Sequence, residues 1–282
     1  MKTWDFKITL LALAAALSAP WAQVFAAQPV ILAVDGIDPA ACTLPWQSPR
    51  EGYLRDSLGQ LCNGSCGEFK VFDWNRDITN SRAAVEALKA RINEVGAEAA
   101  NPGNPRPFVI VAHSWGGVLT GEALAELGND LPFRISKVVT VGTPLGNGIY
   151  TTMVYSRLRY QGFYEEPQPA PSVDVWVNFW LKRDPVSSPL SIRDMYIDNR
   201  QLDSDPSFDQ LEADINGKCT GLDSPYCYEA IRDGKVMASN TDVWHSAYFT
   251  DFNIPLNSVG QTLRTGWMTQ LAPWSITTSR PS

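Results

Sequence analysis

The sequence predicts an α/β fold in which a mostly parallel central sheet carries helices on both faces. Short apolar runs alternate with stretches of helical periodicity, the pattern of parallel strands joined by crossover helices. The chain has 282 residues, of which 44% are hydrophobic and 19% charged. This composition supports a full hydrophobic core and excludes an intrinsically disordered chain.

The predicted strands are short apolar runs that end in turn residues, and they lie at 30–34, 69–74, 108–112, 137–141 and 173–181. Apolar residues spaced by three and four predict helices over 79–101, 118–127 and 259–271. Two stretches, near 147–172 and 189–239, follow neither pattern. We interpret them as irregular insertions over one rim of a single domain.

The first 26 residues are predicted to be a secretory signal that is cleaved from the mature protein. A nearly all-apolar run, 8–19, follows two lysines, and 24–26 offers a cleavage site. A membrane anchor is the alternative, but it needs about 20 apolar residues, and Pro20 interrupts the run. We therefore expect a secreted or periplasmic single domain, 27–282, without stable membrane insertion.

The mature chain is predicted to be acidic. Removal of the signal takes away two lysines and one aspartate, so the net charge of −7 becomes −8. An acidic surface repels nucleic acid and is a poor electrostatic partner for an anionic bilayer. We expect a monomer that acts on neutral or apolar molecules and binds no nucleic acid.

Cysteine usage agrees with export. The mature part holds all five cysteines: Cys42, Cys62, Cys66, Cys219 and Cys227. An oxidising compartment favours disulfides between them, but an odd number leaves the connectivity open. The spacing favours a bridge between Cys219 and Cys227. The chain has only two histidines, so no zinc site is expected.

The segment 112–117, Ala-His-Ser-Trp-Gly-Gly, lies between a predicted buried strand and a predicted helix. A serine on so sharp a turn is lifted clear of the sheet, and the strained backbone accepts only small residues such as Ala112 and Gly116 on either side. The helix that follows directs its free N–H groups towards the serine. Ser114 is therefore a candidate nucleophile, with an ordinary strand-to-helix turn as the alternative.

This segment resembles the G-x-S-x-G motif of the α/β-hydrolase superfamily, and within it the lipases and esterases, with Ala112 at the first glycine position. The resemblance implies the α/β-hydrolase fold and a Ser-His-Asp triad that needs no cofactor. The segment 142–144, Gly-Thr-Pro, is similar to the one that follows the next strand in many lipases. The similarity extends in ordered pieces over about 30–248.

A serine nucleophile needs a base, and the chain offers two histidines. His113 adjoins the nucleophile and is expected to point away from it, which leaves His245. The resemblance implies a histidine in the loop before the last helix, and His245 precedes the predicted helix 259–271. A surface histidine beside aromatic residues is the alternative.

The resemblance also implies an acid between the serine and the histidine in chain order. Asp184 is the candidate, because it follows the predicted strand 173–181 and begins an Asp-x-Val sequence similar to the acid segment of lipases. An ordinary Asp-Pro turn is the alternative interpretation. Three nearby rivals are Asp174, Asp194 and Asp198.

Two main-chain donors are expected to form an oxyanion hole, one from the residue after the nucleophile and one from the loop after the first strand. The first is Trp115. The second is Ile37, in Asp35-Gly36-Ile37, where related lipases have His-Gly followed by the donor. The replaced histidine leaves Gly36 as an alternative donor.

The resemblance implies a secreted serine hydrolase that cleaves carboxylic esters, with a small-molecule or lipid ester as substrate. A thioesterase or acyltransferase with the same triad is one alternative, and an inactive binding protein on the same scaffold is another. Asp203, Asp205, Ser207 and Asp209 alternate as in a calcium loop, but Phe208 occupies the position that requires glycine. We therefore expect no metal.

Overall fold

The computed structural model describes residues 27–37, 53–62, 66–146, 161–164, 166–184, 186–206, 208, 209, 245 and 248. The predicted signal at 1–26, the predicted helix at 259–271 and the predicted Cys219–Cys227 pair lie outside these residues. Within them, Cys66 is disulfide-bonded.

The described residues form strands and helices in alternation. The elements are β1 (Val30–Val34), α1 (Tyr53–Cys62), β2 (Glu68–Phe72), α2 (Ser81–Ala99), β3 (Phe108–His113), α3 (Trp115–Leu127), β4 (Lys137–Val141), β5 (Trp176–Trp180) and β6 (Ile197–Gln201). A 3-10 turn, Ile78–Asn80, leads directly into α2.

The strands form one sheet in the order β2-β1-β3-β4-β5-β6, and every neighbouring pair is parallel. The predicted α/β fold with a parallel sheet is therefore confirmed. The chain moves outward from β1 to β2 and then returns across β1 to β3. Because crossover connections are right-handed, this reversal puts α1 on one face and α2 and α3 on the other.

The core lies on both sides of the central strands. All residues of β1 and β3 are buried, as expected for near-continuous apolar strands covered on both faces. The spacing of apolar residues in α2 turns one stripe of the helix inward, where α2 packs against α3. The central strands are thereby held rigidly, and their carboxyl ends define one edge of the sheet.

Two elements were not predicted from the sequence. In α1 the buried side chains Leu54 and Leu58 are one turn apart, too short a pattern to mark a helix. Strand β6, with the sequence IDNRQ, lies within a stretch predicted to be irregular and has one apolar residue. Its parallel pairing with β5 and the bonds between Asn199 and Leu190 hold it in place.

Predicted strand boundaries are close to those observed. The runs at 30–34 and 137–141 coincide with β1 and β4, whereas β2 begins one residue earlier and ends two residues earlier than the run at 69–74. None of the helices in the described part of the chain is long and apolar enough to cross a bilayer.

Candidate active site

The candidate site lies at the carboxyl edge of the sheet, where polar residues follow three strands. Asp35 follows β1, Ser114 follows β3 and Asp184 follows β5. The carboxyl ends of parallel strands share one edge, and open parallel sheets collect their sites there. His245 and Tyr248, from a later part of the chain, contact residues of this edge.

Ser114 forms the turn between β3 and α3 and has an unusual backbone conformation, with φ 52° and ψ −126°. A positive φ is costly for a residue with a side chain, and such strain is found where a function requires it. The N–H of Ser114 donates to the carbonyl of Val141 at 3.0 Å, and its carbonyl accepts from the N–H of Gly117 at 3.0 Å. These bonds fix the turn from both sides.

The motif's glycine has a steric reason. A Cβ added at Gly116 would lie 2.4 Å from the carbonyl oxygen of Val34 and 2.6 Å from that of Asp35. The start of α3 therefore packs directly on the end of β1, a contact that only glycine permits. The indole N–H of Trp115 also anchors this helix start, donating to Oγ of Ser81 at 2.9 Å.

The structure brings Ser114, His245 and Asp184 together. Nε2 of His245 is 2.9 Å from Oγ of Ser114, and Nδ1 is 3.0 Å from Oδ2 of Asp184. An ionised carboxylate only accepts hydrogen bonds, so Nδ1 carries the proton and Nε2 accepts one from the serine. The imidazole is thus arranged to act as a base towards Ser114.

Asp184 is 1% exposed, and its carboxylate accepts a hydrogen bond besides the one from His245. The N–H of Val186 donates to its Oδ1 at 2.9 Å. Of the rival acids, Asp174 is ion-paired with Arg134 and Asp198 with Arg200, and Asp194 is exposed. No contact joins these rivals to Ser114 or His245 in the described residues.

The loop after β1 passes close to the serine. A Cβ added at Gly36 would lie 2.8 Å from Cβ of Ser114 and 3.3 Å from its Oγ. The main chain of Gly36 therefore faces Ser114 at contact distance. This placement brings both alternative donors from this loop, Gly36 and Ile37, to the vicinity of the serine.

Arg76 binds the main-chain carbonyl groups of this loop. Its Nε donates to the carbonyl of Gly36 at 2.7 Å and its Nη2 to the carbonyl of Ile37 at 2.9 Å. In a planar trans peptide the carbonyl and the N–H point in opposite directions. Because Arg76 binds the carbonyl of Gly36, the N–H of Ile37 points away from the guanidinium group. Sequence patterns had not indicated Arg76, which lies 40 residues from Gly36.

Trp115 offers the other predicted donor. It is the first residue of α3, so its N–H has no acceptor within the helix. The two predicted donors thus lie in the loop after β1 and at the first residue of α3.

His113 contacts the other histidine of the site. Its ring stacks on that of His245, with 5.1 Å between centroids and 27° between planes. Burial, His245 and Arg76 hold the pKa of His113 well below its ordinary value. His113 therefore stays neutral near pH 7 and supports His245 by packing, without adding a competing charge.

Tyr248 is the second residue that sequence reasoning missed. Its hydroxyl donates to Oδ2 of Asp184 at 3.0 Å. The helical and strand patterns of the chain do not reach this part of the sequence. The only available signal was its position three residues after His245, which puts both side chains on the same segment.

Two residues of the calcium-like pattern, Asp203 and Asp209, contact the loop that carries Asp184. Asp203 is buried, and its carboxylate accepts from the N–H groups of Lys182 and Arg183 at 2.9 and 3.1 Å and from the guanidinium of Arg183 at 3.2 Å. Arg183 also pairs with Asp209. Protein donors therefore surround Asp203, while Ser207 lies outside the described residues.

No protein-family model matches the chain, and no curated protein matches it at significance. Similar solved structures include a cutinase-like protein from Cryptococcus sp., at 22% identity and a TM-score of 0.31. That match covers 45% of this chain and 58% of the cutinase-like protein, so this chain spans less than two thirds of that protein's length.

Two structures of RedJ are also similar, each at 15% identity and a TM-score of 0.33. One is described as a thioesterase from the prodiginine biosynthetic pathway in Streptomyces coelicolor, and it covers 77% of this chain and 97% of its own. The other has a PEG molecule bound in the active site and covers 68% and 94%. Each of these likenesses concerns the fold alone.

Proposed function

We propose that this protein is a serine hydrolase that cleaves carboxylic esters of apolar acyl groups through an acyl-enzyme. Ser114 is the nucleophile, His245 the general base and Asp184 the acid that orients it. The observation that supports this proposal is the chain of contacts from Ser114 Oγ to His245 Nε2 at 2.9 Å and from His245 Nδ1 to Asp184 Oδ2 at 3.0 Å.

In the first half of the reaction, Nε2 of His245 takes the proton of the Ser114 hydroxyl while Oγ attacks the ester carbonyl carbon. The carbonyl π electrons move to oxygen, and the N–H groups of Trp115 and Ile37 donate to the oxyanion. Collapse of this intermediate breaks the bond to the alcohol oxygen, which takes the proton back from His245. The acyl group remains on Ser114.

In the second half, a water molecule gives one proton to Nε2 of His245 and attacks the acyl carbon. Collapse of the second oxyanion releases the carboxylic acid and returns the proton to Oγ of Ser114. Asp184 stabilises the imidazolium in both halves and is not itself protonated. The cycle begins with a neutral His245, so turnover falls when acid protonates the imidazole.

The first test removes the nucleophile. Ser114→Ala should lower kcat/KM for an aryl ester by about 10⁴-fold or more, because the loss of one triad member disables the others. The measurement is steady-state hydrolysis of a chromogenic ester by purified protein, with circular dichroism to verify the fold. Ser191→Ala is a matched control, since Ser191 is exposed and no contact within the described part of the chain joins it to the triad.

A fluorophosphonate probe tests the same assignment without turnover. Wild type and Ser191→Ala should be labelled at Ser114, and Ser114→Ala should not. Near-normal hydrolysis by Ser114→Ala, or labelling at another serine, would contradict the nucleophile. An unreactive wild type would instead favour a binding protein on this scaffold.

The proposed type of ester follows from the chemistry of the triad alone. The substrate experiment therefore compares leaving groups and acyl-chain lengths. Oxygen esters and thioesters of one acyl group are assayed in parallel, followed by short and long acyl chains with and without micelles. We expect the highest kcat/KM with oxygen esters of apolar acyl groups. Preference for the thioester would assign a thioesterase with the same triad.

We further propose that the protein acts outside the cytoplasm, in the periplasm or the medium. The apolar run at 8–19 and the disulfide at Cys66 support this location. Amino-terminal sequencing of the exported protein should give a mature start near residue 27. Recovery of the intact chain in the cytoplasm would contradict it.

A further inference from the structure

Tyr248 is a buried group at the site that the proposed mechanism does not use. Its side chain is 0% exposed, and its hydroxyl donates to Oδ2 of Asp184 at 3.0 Å. The same oxygen accepts from Nδ1 of His245 at 3.0 Å. One carboxylate oxygen therefore receives a phenol donor and the imidazole donor together.

The charged carboxylate is a stronger acceptor for the phenol proton than a neutral hydroxyl. The N–H of Leu181 donates to the phenol oxygen at 3.1 Å, and the hydroxyl oxygen of Ser187 lies 3.0 Å from it. Burial, reinforced by the charge of Asp184, raises the pKa of Tyr248 well above its ordinary value. Tyr248 thus remains protonated and continues to donate to Asp184 over the whole working range of pH.

The ring of Tyr248 is fixed by packing as well. A Cβ added at Gly142 would lie 2.8 Å from Cε2 of this ring, so the end of β4 contacts it directly. The ring also meets His113 edge to face, with 6.2 Å between centroids. The hydroxyl is therefore held at a set position beside Asp184, and it ties the segment carrying His245 to the loop carrying the acid.

We propose that Tyr248 is a positioning residue that acts through Asp184, holding the carboxylate in line with His245 and dispersing part of its charge. This inference rests on the proposed function, because it assigns Tyr248 a part in the same triad. Through the carboxylate, the phenol sets how readily the imidazole takes up a proton.

The sign of the effect follows from electrostatics. A donor on the carboxylate offsets some of the negative charge that stabilises the imidazolium. Tyr248→Phe removes this donor, so more negative charge faces His245 and its protonated form is favoured. The midpoint of the His245 titration should rise by roughly half a unit to one unit, and the acid limb of kcat/KM should move with it.

Other charged and titratable groups surround this triad from each neighbouring element. In the described residues they are Asp35 after β1, Arg76 after β2, His113 at the end of β3, and the pair Arg183 and Asp203 beside the acid. The substitution at 248 changes none of them. A change in the His245 titration therefore reports the loss of the phenol donor.

The experiment follows the histidine rings by NMR as pH is varied, in the absence of substrate. The chain has only two histidines, so two ring signals are expected, and the spectrum of a His113→Phe variant identifies which belongs to His245. The same samples are assayed for ester hydrolysis across pH. For Tyr248→Phe we expect an upward midpoint shift in both experiments and a loss in kcat/KM of about tenfold on the plateau.

Two further variants separate positioning from packing. Ser187→Ala removes a neighbour of the phenol oxygen but leaves the donor to Asp184, so the midpoint should stay at the wild-type value. Replacing Tyr248 by 3-fluorotyrosine keeps the ring and its packing but makes the hydroxyl a stronger donor. In this variant the midpoint of the His245 titration should move down, opposite to the shift in Tyr248→Phe. The fluorotyrosine variant also keeps the test available if the phenylalanine variant fails to fold.

An unchanged His245 midpoint in folded Tyr248→Phe, or a fluorotyrosine shift in the upward direction, overturns the proposal and leaves Tyr248 a packing residue. The NMR titration needs no turnover. Failure of the proposed function, seen as full activity in Ser114→Ala, is therefore distinguished from failure of this inference.

Discussion

Gly36→Ala is the sharpest steric test of the site, because the main chain of Gly36 lies in direct contact with Ser114. The added Cβ would lie 2.8 Å from Cβ of Ser114 and 3.3 Å from both Oγ of Ser114 and the carbonyl oxygen of His113. The φ of Gly36 lies outside the left-handed region, so alanine meets no backbone strain there. Any effect of Gly36→Ala must come from contact.

The size of the effect follows from these distances. Carbon atoms pack best at about 3.5–4.0 Å, so the loop or Ser114 must move by roughly 0.7–1 Å. The bond between Oγ of Ser114 and Nε2 of His245 is now 2.9 Å long, and a shift of that size takes it past the useful range. A misplacement of about 1 Å costs about 10²-fold in rate, or about 2.7 kcal/mol of barrier.

The assay is kcat/KM for a chromogenic ester, with thermal unfolding of the same samples. We expect Gly36→Ala to lose about 10²-fold in kcat/KM and about 1–3 kcal/mol of stability from overpacking. Gly59→Ala is the matched control, because a Cβ at Gly59 in α1 meets nothing within 4 Å. It should keep full activity and gain about 0.5–1 kcal/mol of stability. Wild-type kcat/KM in Gly36→Ala would refute the placement of this loop against the serine.

Two further predictions concern a donor and a buried acid. Arg76→Met removes both bonds to the loop carbonyls and should lower kcat by about 10–10²-fold with little change in KM. Arg76→Lys should have an intermediate kcat. Unchanged kcat in stopped-flow and steady-state assays would contradict the role of Arg76 in holding this loop. Burial raises the pKa of Glu122 to about 7 from 4.5, so the folded state favours its protonated form and loses stability as pH rises through that range. In urea unfolding, Glu122→Gln should therefore match the stability of wild type near about pH 4.5 and be about 1–3 kcal/mol more stable above about pH 8. Equal stability of the variant and wild type at both pH values would show that the Glu122 carboxyl is solvated.

Most of the parallel sheet could be predicted because its signals are local. The runs at 30–34 and 108–112 are apolar throughout, which is what strands buried on both faces require. The spacing within 79–101 likewise identifies α2. Strand β6 escaped prediction because backbone pairing with β5 holds it, and that pairing depends on no pattern in its own side chains.

The candidate site divides in the same way. Ser114 was recognisable from its small neighbours, since the turn's steric demand acts within a few residues. Arg76 was not, because its two bonds to the loop after β1 exist only once β2 lies beside β1. The stacking of His113 on His245 was not predicted for a related reason: its ring packs against residues from another part of the chain.

The sequence by itself determined strands β1 to β5, helices α2 and α3, the strained serine turn and a short set of partners for that serine, since each depends on residues close together in the chain. Only the tertiary structure decided that Asp184, rather than Asp174, Asp194 or Asp198, meets His245, and that Tyr248 shares its oxygen. Those contacts join residues 61 and 64 positions apart. They form because parallel strands bring their carboxyl ends to one edge, and no local pattern specifies which side chains meet there.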